Sequence, residues 1–81
     1  MMITTIKPDG TTIRSENAGP VSLERLQKMV GGYAQKLPAP AIEEIYVNED
    51  GRMQQLDPNH AATKRARWPY PLLGTVVFIT R

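Results

Sequence analysis

Val76-Val77-Phe78-Ile79 run without a polar interruption near the end of the chain, in its most apolar segment. In a strand, successive side chains point to opposite faces, so such a run presents apolar groups to both sides of a sheet at once. Leu72 to Thr80 is therefore expected as a strand inside a sheet, covered on both faces. With 81 residues the chain makes one domain, residues 1–81. It buries roughly two thirds of the surface its unfolded form exposes, so the core is single and modest. Cysteine is absent, which removes disulfides and thiolate zinc ligands and leaves packing or self-association to hold the fold.

The remaining elements follow from punctuation and period. β-Branched and polar residues alternate from Ile3 to Ile6, Lys7-Pro8-Asp9-Gly10 reads as a turn, and β-favouring residues resume from Thr11 to Arg14. This is a hairpin, followed by a surface loop over Ser15 to Pro20. From Ser22 the period becomes helical: Leu23, Leu26, Met29, Val30, Tyr33 and Leu37 recur at spacings of three and four. Ser22 is placed to cap that helix, Val21 and Leu26 to staple it, and Pro38 with Pro40 to end it. Gly31 and Gly32 fall inside the expected helix, where two glycines cost about 2 kcal/mol relative to alanine. The helix must kink there, or something must pass too close for a β-carbon: the sheet, a second subunit, or a ligand over bare backbone.

Glu43 to Asn48 and Arg52 to Leu56 read as a second hairpin about Asn48-Glu49-Asp50-Gly51, with Gly51 expected to take the positive φ of a tight turn. Ile45 and Val47 would share one face, Glu44 and Tyr46 the other. Asp57 is expected to cap a short helix that opens on Pro58 and runs to about Ala66, with Lys64 and Arg65 at the end where cations complement the dipole. Trp68-Pro69-Tyr70-Pro71 must be extended, because a residue before proline avoids the α region. The order is ββαββαβ: a small α+β domain with one main helix and one short helix on an antiparallel or mixed sheet.

Catalytic chemistry finds little support. His60 is the only histidine and stands near no nucleophile elbow, so no enzyme is expected. Asp57, Asn59 and His60 supply neither a zinc set nor a calcium loop. No metal and no cofactor is expected, and Asn59 and His60 read as surface residues. Glu43, Glu44, Glu49 and Asp50 are separated by strand alternation and a turn, which predicts a solvated acidic edge. The glycines match no phosphate-cradling pattern. A net charge of +2 announces no polyanionic partner. Without a signal-like start or a membrane-length apolar run, the expected compartment is the cytoplasm. One constellation suits a large ligand: Lys64, Arg65 and Arg67 beside Trp68 and Tyr70 would pair with phosphates and stack on bases. The same residues also serve as a helix end and a core plug.

Val30-Gly31-Gly32-Tyr33, Tyr46-Val47-Asn48-Glu49-Asp50-Gly51-Arg52, Leu56 to Thr63, and Leu73-Gly74-Thr75-Val76-Val77 resemble, in that order, the small phage, plasmid and bacterial proteins of domain of unknown function family 3846. The resemblance covers most of the chain after Ser22. The hairpin from Ile3 to Arg14 matches it less clearly, and Trp68 to Pro71 lies outside it. It implies an intracellular accessory protein, often encoded by mobile elements, and carries over no catalytic residue. The matched positions Gly31, Gly32, Tyr33, Asn48, Asn59 and Thr63 are the expected binding surface of a non-enzymatic interaction module, whose partner is a protein or small ligand. Nucleic-acid binding through Lys64, Arg65, Arg67, Trp68 and Tyr70 is the alternative. A two-fold homodimer is also expected, since a glycine pair on the main helix and an apolar terminal strand give reason to bury extra surface.

Overall fold

The computed structural model describes residues 1–38 and 43–80. Its elements are β1 (Met2–Ile6), β2 (Thr12–Glu16), α1 (Leu23–Val30), β3 (Ala34–Leu37), β4 (Glu43–Asn48), α2 (His60–Ala66) and β5 (Val76–Thr80). The five strands form one sheet in the order β2-β1-β5-β4-β3, every neighbouring pair antiparallel. The fold is a small α+β domain of order ββαββαβ.

β5 occupies the centre, as its apolar run requires. Val76 and Phe78 enter one core with Ile6, Leu37, Ile45, Val47, Ala62 and Leu72. Val77 and Ile79 enter the other with Ile3, Leu26 and Val30. The sheet is thus sandwiched, with α1 on one face and α2 on the other. Burying a residue such as Leu26 or Val30 stabilises by roughly 1.5–3 kcal/mol, so even the short α1 is held by its packing rather than by propensity. No helix among the described residues is long and apolar enough to cross a membrane.

The N-terminal hairpin forms as expected, although β2 extends to Glu16, beyond the predicted limit of Arg14. In its turn, the Thr11 backbone N–H donates to Asp9 Oδ1 at 2.8 Å and holds that carboxyl below the usual carboxylate range.

The middle of the chain departs from expectation. α1 is capped by Ser22, whose Oγ accepts from Arg25 N–H, but it ends after eight residues rather than at Leu37. Gly31 takes the left-handed conformation at φ +78°, and its N–H bonds to Gln27 O. That is a helix stop, not an internal kink. The chain turns through Gly32 and Tyr33 into β3, so Leu37 belongs to a strand face although its spacing from Tyr33 is also helical. Pro40 lies outside the described residues.

β4 pairs backward with β3 rather than forward with Arg52 to Leu56. That forward segment is a series of turns: Gly51 N–H bonds to Asn48 O, Gln54 N–H to Asp50 O, and Leu56 N–H to Gly51 O. The positive φ falls on Gln55, at 54°, and not on Gly51. The order ββαββαβ therefore holds, with Glu43–Asn48 a strand as expected and Ala34–Leu37 as its partner in place of Arg52 to Leu56. α2 is capped by Asn59 rather than Asp57, and begins at His60. Pro58 lies outside it, in an isolated bridge to Leu73, and β5 starts at Val76 rather than Leu72.

Candidate functional site

On the α1 face, Gly31, Gly32, Tyr33 and Asn48 come together. Asn48 is buried at the end of β4, where its Nδ2 donates to Val30 O at 3.2 Å and its Oδ1 accepts from Asp50 N–H at 2.8 Å. This amide ties the carboxyl end of α1 to the turn after β4. A β-carbon on Gly32 would lie 2.8 Å from Asn48 Nδ2, so close approach to the sheet accounts for Gly32 within one chain. Tyr33 is 66% exposed. It lines a shallow depression of about 510 Å³ with Glu24, Lys28, Gly31, Asp50 and Gln54.

Asn59 and Thr63 stand on the opposite face, so the six expected residues do not form one surface. Asn59 is not a surface residue but fully buried. Its Nδ2 donates to Ile6 O and to Gly74 O, each at 2.8 Å, while Oδ1 accepts from Ala62 N–H at 3.1 Å. Its backbone N–H donates to Leu72 O. Thr63 Oγ1 donates to Asn59 O at 2.7 Å and accepts from Leu72 N–H at 2.9 Å. The pair is a clasp joining β1, α2 and the strap before β5, with its donors committed to protein backbone. His60 beside it is exposed.

The basic segment is divided in the same way. Arg65 Nη2 pairs with Glu43 Oε1 at 2.7 Å, and its guanidinium sits 4.7 Å from the centroid of the Phe78 ring. Glu43 is thus engaged rather than solvated, as is Glu44, which pairs with Lys36 and accepts from Tyr46 Oη. Lys64 and Arg67 remain exposed, Arg67 as the left-handed cap of α2. Trp68 packs against the core below α2 and meets Tyr70 edge to face at 6.0 Å. Tyr70 itself is 58% exposed. Among the described residues, no three His, Asp or Glu side chains gather in a metal-binding group.

A groove that the sequence did not announce lies on the α2 face, toward the β3–β4 end of the sheet. Its volume is about 680 Å³. Leu37, Val47 and Leu72 line its floor, Gln35, Glu49 and Arg52 its rim, and Tyr70 with Pro71 its far wall. Gln35 and Leu37 stand there only because Ala34–Leu37 is a strand; a helix reading hides the groove. The one available signal was Pro38, which ends a strand as readily as a helix.

No curated protein and no solved structure matches the chain. A family model, described as a domain of unknown function (DUF3846), matches residues 1–81 and so takes in both the N-terminal hairpin and the Trp68 to Pro71 strap. The chain belongs to this family.

Proposed function

We propose that the chain is a non-catalytic binding module that holds an extended peptide segment of another protein in the groove between β3 and Tyr70. The observation that carries this reading is the pairing of an apolar, concave floor with an open strand edge. The groove falls within the size range of ordinary ligand sites. Beside it, β3 pairs with β4 alone among the described residues. Glu49 N–H bonds to Tyr33 O, which directs the backbone groups of Tyr33, Gln35 and Leu37 toward β4 and those of Ala34 and Lys36 outward. A peptide added there would gain main-chain bonds from the edge and place alternate side chains over Leu37 and Val47, against Tyr70.

Selection of random peptides displayed on phage against the immobilised protein tests the reading. Enriched peptides should carry apolar residues at alternate positions, and Tyr70→Ala should weaken their binding about tenfold, the effect of an aromatic anchor. Tyr70 is exposed enough that this variant keeps the fold. Absence of a consensus, or equal binding by Tyr70→Ala, would overturn the proposal.

A second reading, nucleic-acid binding, draws on the exposed Lys64 and Arg67 beside the Trp68–Tyr70 ring pair. Arg65 supports it less, being committed to Glu43 and Phe78.

A further inference from the structure

We propose that two copies of the chain pair through β2, antiparallel about a two-fold axis at Ser15, with each Arg14 opposite Glu16 of the partner subunit. The inference is independent of the groove, which lies at the other end of the sheet. Its grounds are the backbone direction and the charge pattern of one strand.

β2 is an edge, paired only with β1 among the described residues, and all five of its residues are exposed. Asn17 N–H bonds to Met1 O at 2.8 Å and Lys7 N–H to Thr11 O at 2.9 Å, at the two ends of the β1–β2 ladder. Bonded pairs alternate along an antiparallel ladder, so the bonds between these ends fall on Ile3 with Ser15 and on Thr5 with Ile13. The N–H and C=O groups of Thr12, Arg14 and Glu16 therefore point away from the sheet, ready to pair with another strand.

Three two-fold registers bring these outward groups together. Centred on Arg14, the pairing sets Arg14 against Arg14, and like charges directly opposite are unfavourable. Centred on Ile13, it sets Arg14 against Thr12 and leaves Glu16 beyond the strand. Centred on Ser15, it sets Arg14 against Glu16 of the partner subunit, and symmetry makes that ion pair twice. Arg14 and Glu16 lie two residues apart and hence on the same face, so the complementarity is between side chains that meet. Ile13 then faces Asn17 of the partner subunit, and only the small Ser15 side chains approach each other on the axis. Glu16 already accepts from the Met1 ammonium at 3.2 Å through Oε1, yet its side chain is 71% exposed and so remains accessible to a partner. The other edge suits self-pairing less well. β3 turns only Ala34 and Lys36 outward, Lys36 is drawn to Glu44, and Pro38 next to the strand lacks a donor. The glycine pair and the terminal strand do not serve this dimer, since Gly31 and Gly32 are explained within one chain and β5 is central.

Sedimentation equilibrium on the full chain, over micromolar to millimolar concentration, tests the pairing with a charge-swap cycle. The parent should show a reversible monomer–dimer equilibrium. Arg14→Glu and Glu16→Arg should each raise the dimer dissociation constant about tenfold or more, because each swap creates two like-charge pairs across the axis. The double variant R14E/E16R should return it to within about threefold of the parent, since the same two ion pairs re-form with reversed sign. Circular dichroism of each variant should match the parent, the two side chains being exposed. A parent that stays monomeric throughout, or a double variant that dimerises no better than the single ones, would overturn the proposal.

Discussion

Replacing Asn59 by alanine removes three side-chain bonds from a site with no exposure to solvent. Loss of the cap on Ala62 N–H costs about 1 kcal/mol. The two bonds from Nδ2 to Ile6 O and Gly74 O contribute about 1 kcal/mol each. A total of about 3 kcal/mol is a large share of the roughly 4–12 kcal/mol expected for a domain of this length, and it should lower Tm by roughly 12–24 °C. Urea unfolding followed by circular dichroism and by the fluorescence of Trp68, the only tryptophan, measures it. Asn59→Asp sharpens the test. The aspartate keeps Oδ1 on the cap but sets a carboxylate oxygen against the two carbonyls that Nδ2 now serves. Burial and those carbonyls raise its folded pKa above the unfolded value of about 3.9. The variant should therefore lie closest to the parent below that pH and fall away as pH rises through the folded pKa, opposite to the usual behaviour of a paired carboxylate. A loss under about 1 kcal/mol for Asn59→Ala, or an Asn59→Asp deficit that shrinks with rising pH, would refute the clasp.

Gly32→Ala should destabilise by about 1–3 kcal/mol, because its β-carbon meets Asn48 Nδ2. Gly31→Ala has open space around it and should lose only the left-handed penalty of about 1–2 kcal/mol; thermal unfolding of Gly32→Ala in an Asn48→Ala background, where the clash is relieved, separates the two causes. For nucleic acid, Lys64 and Arg67 as two phosphate contacts predict a salt slope of about −1.8 and roughly a twelvefold loss of affinity for duplex DNA between 50 and 200 mM salt. Fluorescence anisotropy showing no salt-sensitive binding, or unchanged binding by the Lys64→Ala, Arg67→Ala variant, excludes that reading.

Where local chemistry and tertiary packing agree, the fold was readable in advance. Val76 to Ile79 could be nothing but an interior strand, and the Lys7 to Gly10 turn set the first hairpin. Ser22 marked the start of α1 because an N-cap is a local interaction. Its end was hidden because Tyr33 and Leu37 satisfy a helical spacing as well as a strand one, and only the left-handed Gly31 decides between them. The same ambiguity concealed β3, and with it the groove. Asp57 and Asn59 are both capable caps, and the choice rests on the distant carbonyls of Ile6 and Gly74, which reward an amide and not a carboxylate. Gly31, Gly32 and Tyr33 share one segment, but Asn48 joins them only because β4 pairs back with β3, and the separation of Asn59 and Thr63 from them depends on which face α2 covers.

The binding proposal is tested most directly by amide chemical-shift mapping of the isotope-labelled protein, titrated with a peptide selected on it. The account predicts shifts concentrated at Ala34, Gln35, Lys36, Val47, Arg52 and Tyr70, with new protection of the Ala34 and Lys36 amides from hydrogen exchange as the peptide pairs with β3. Shifts centred instead on Gly31 to Tyr33, or on Lys64 and Arg67, with the β3 amides unprotected, would contradict it.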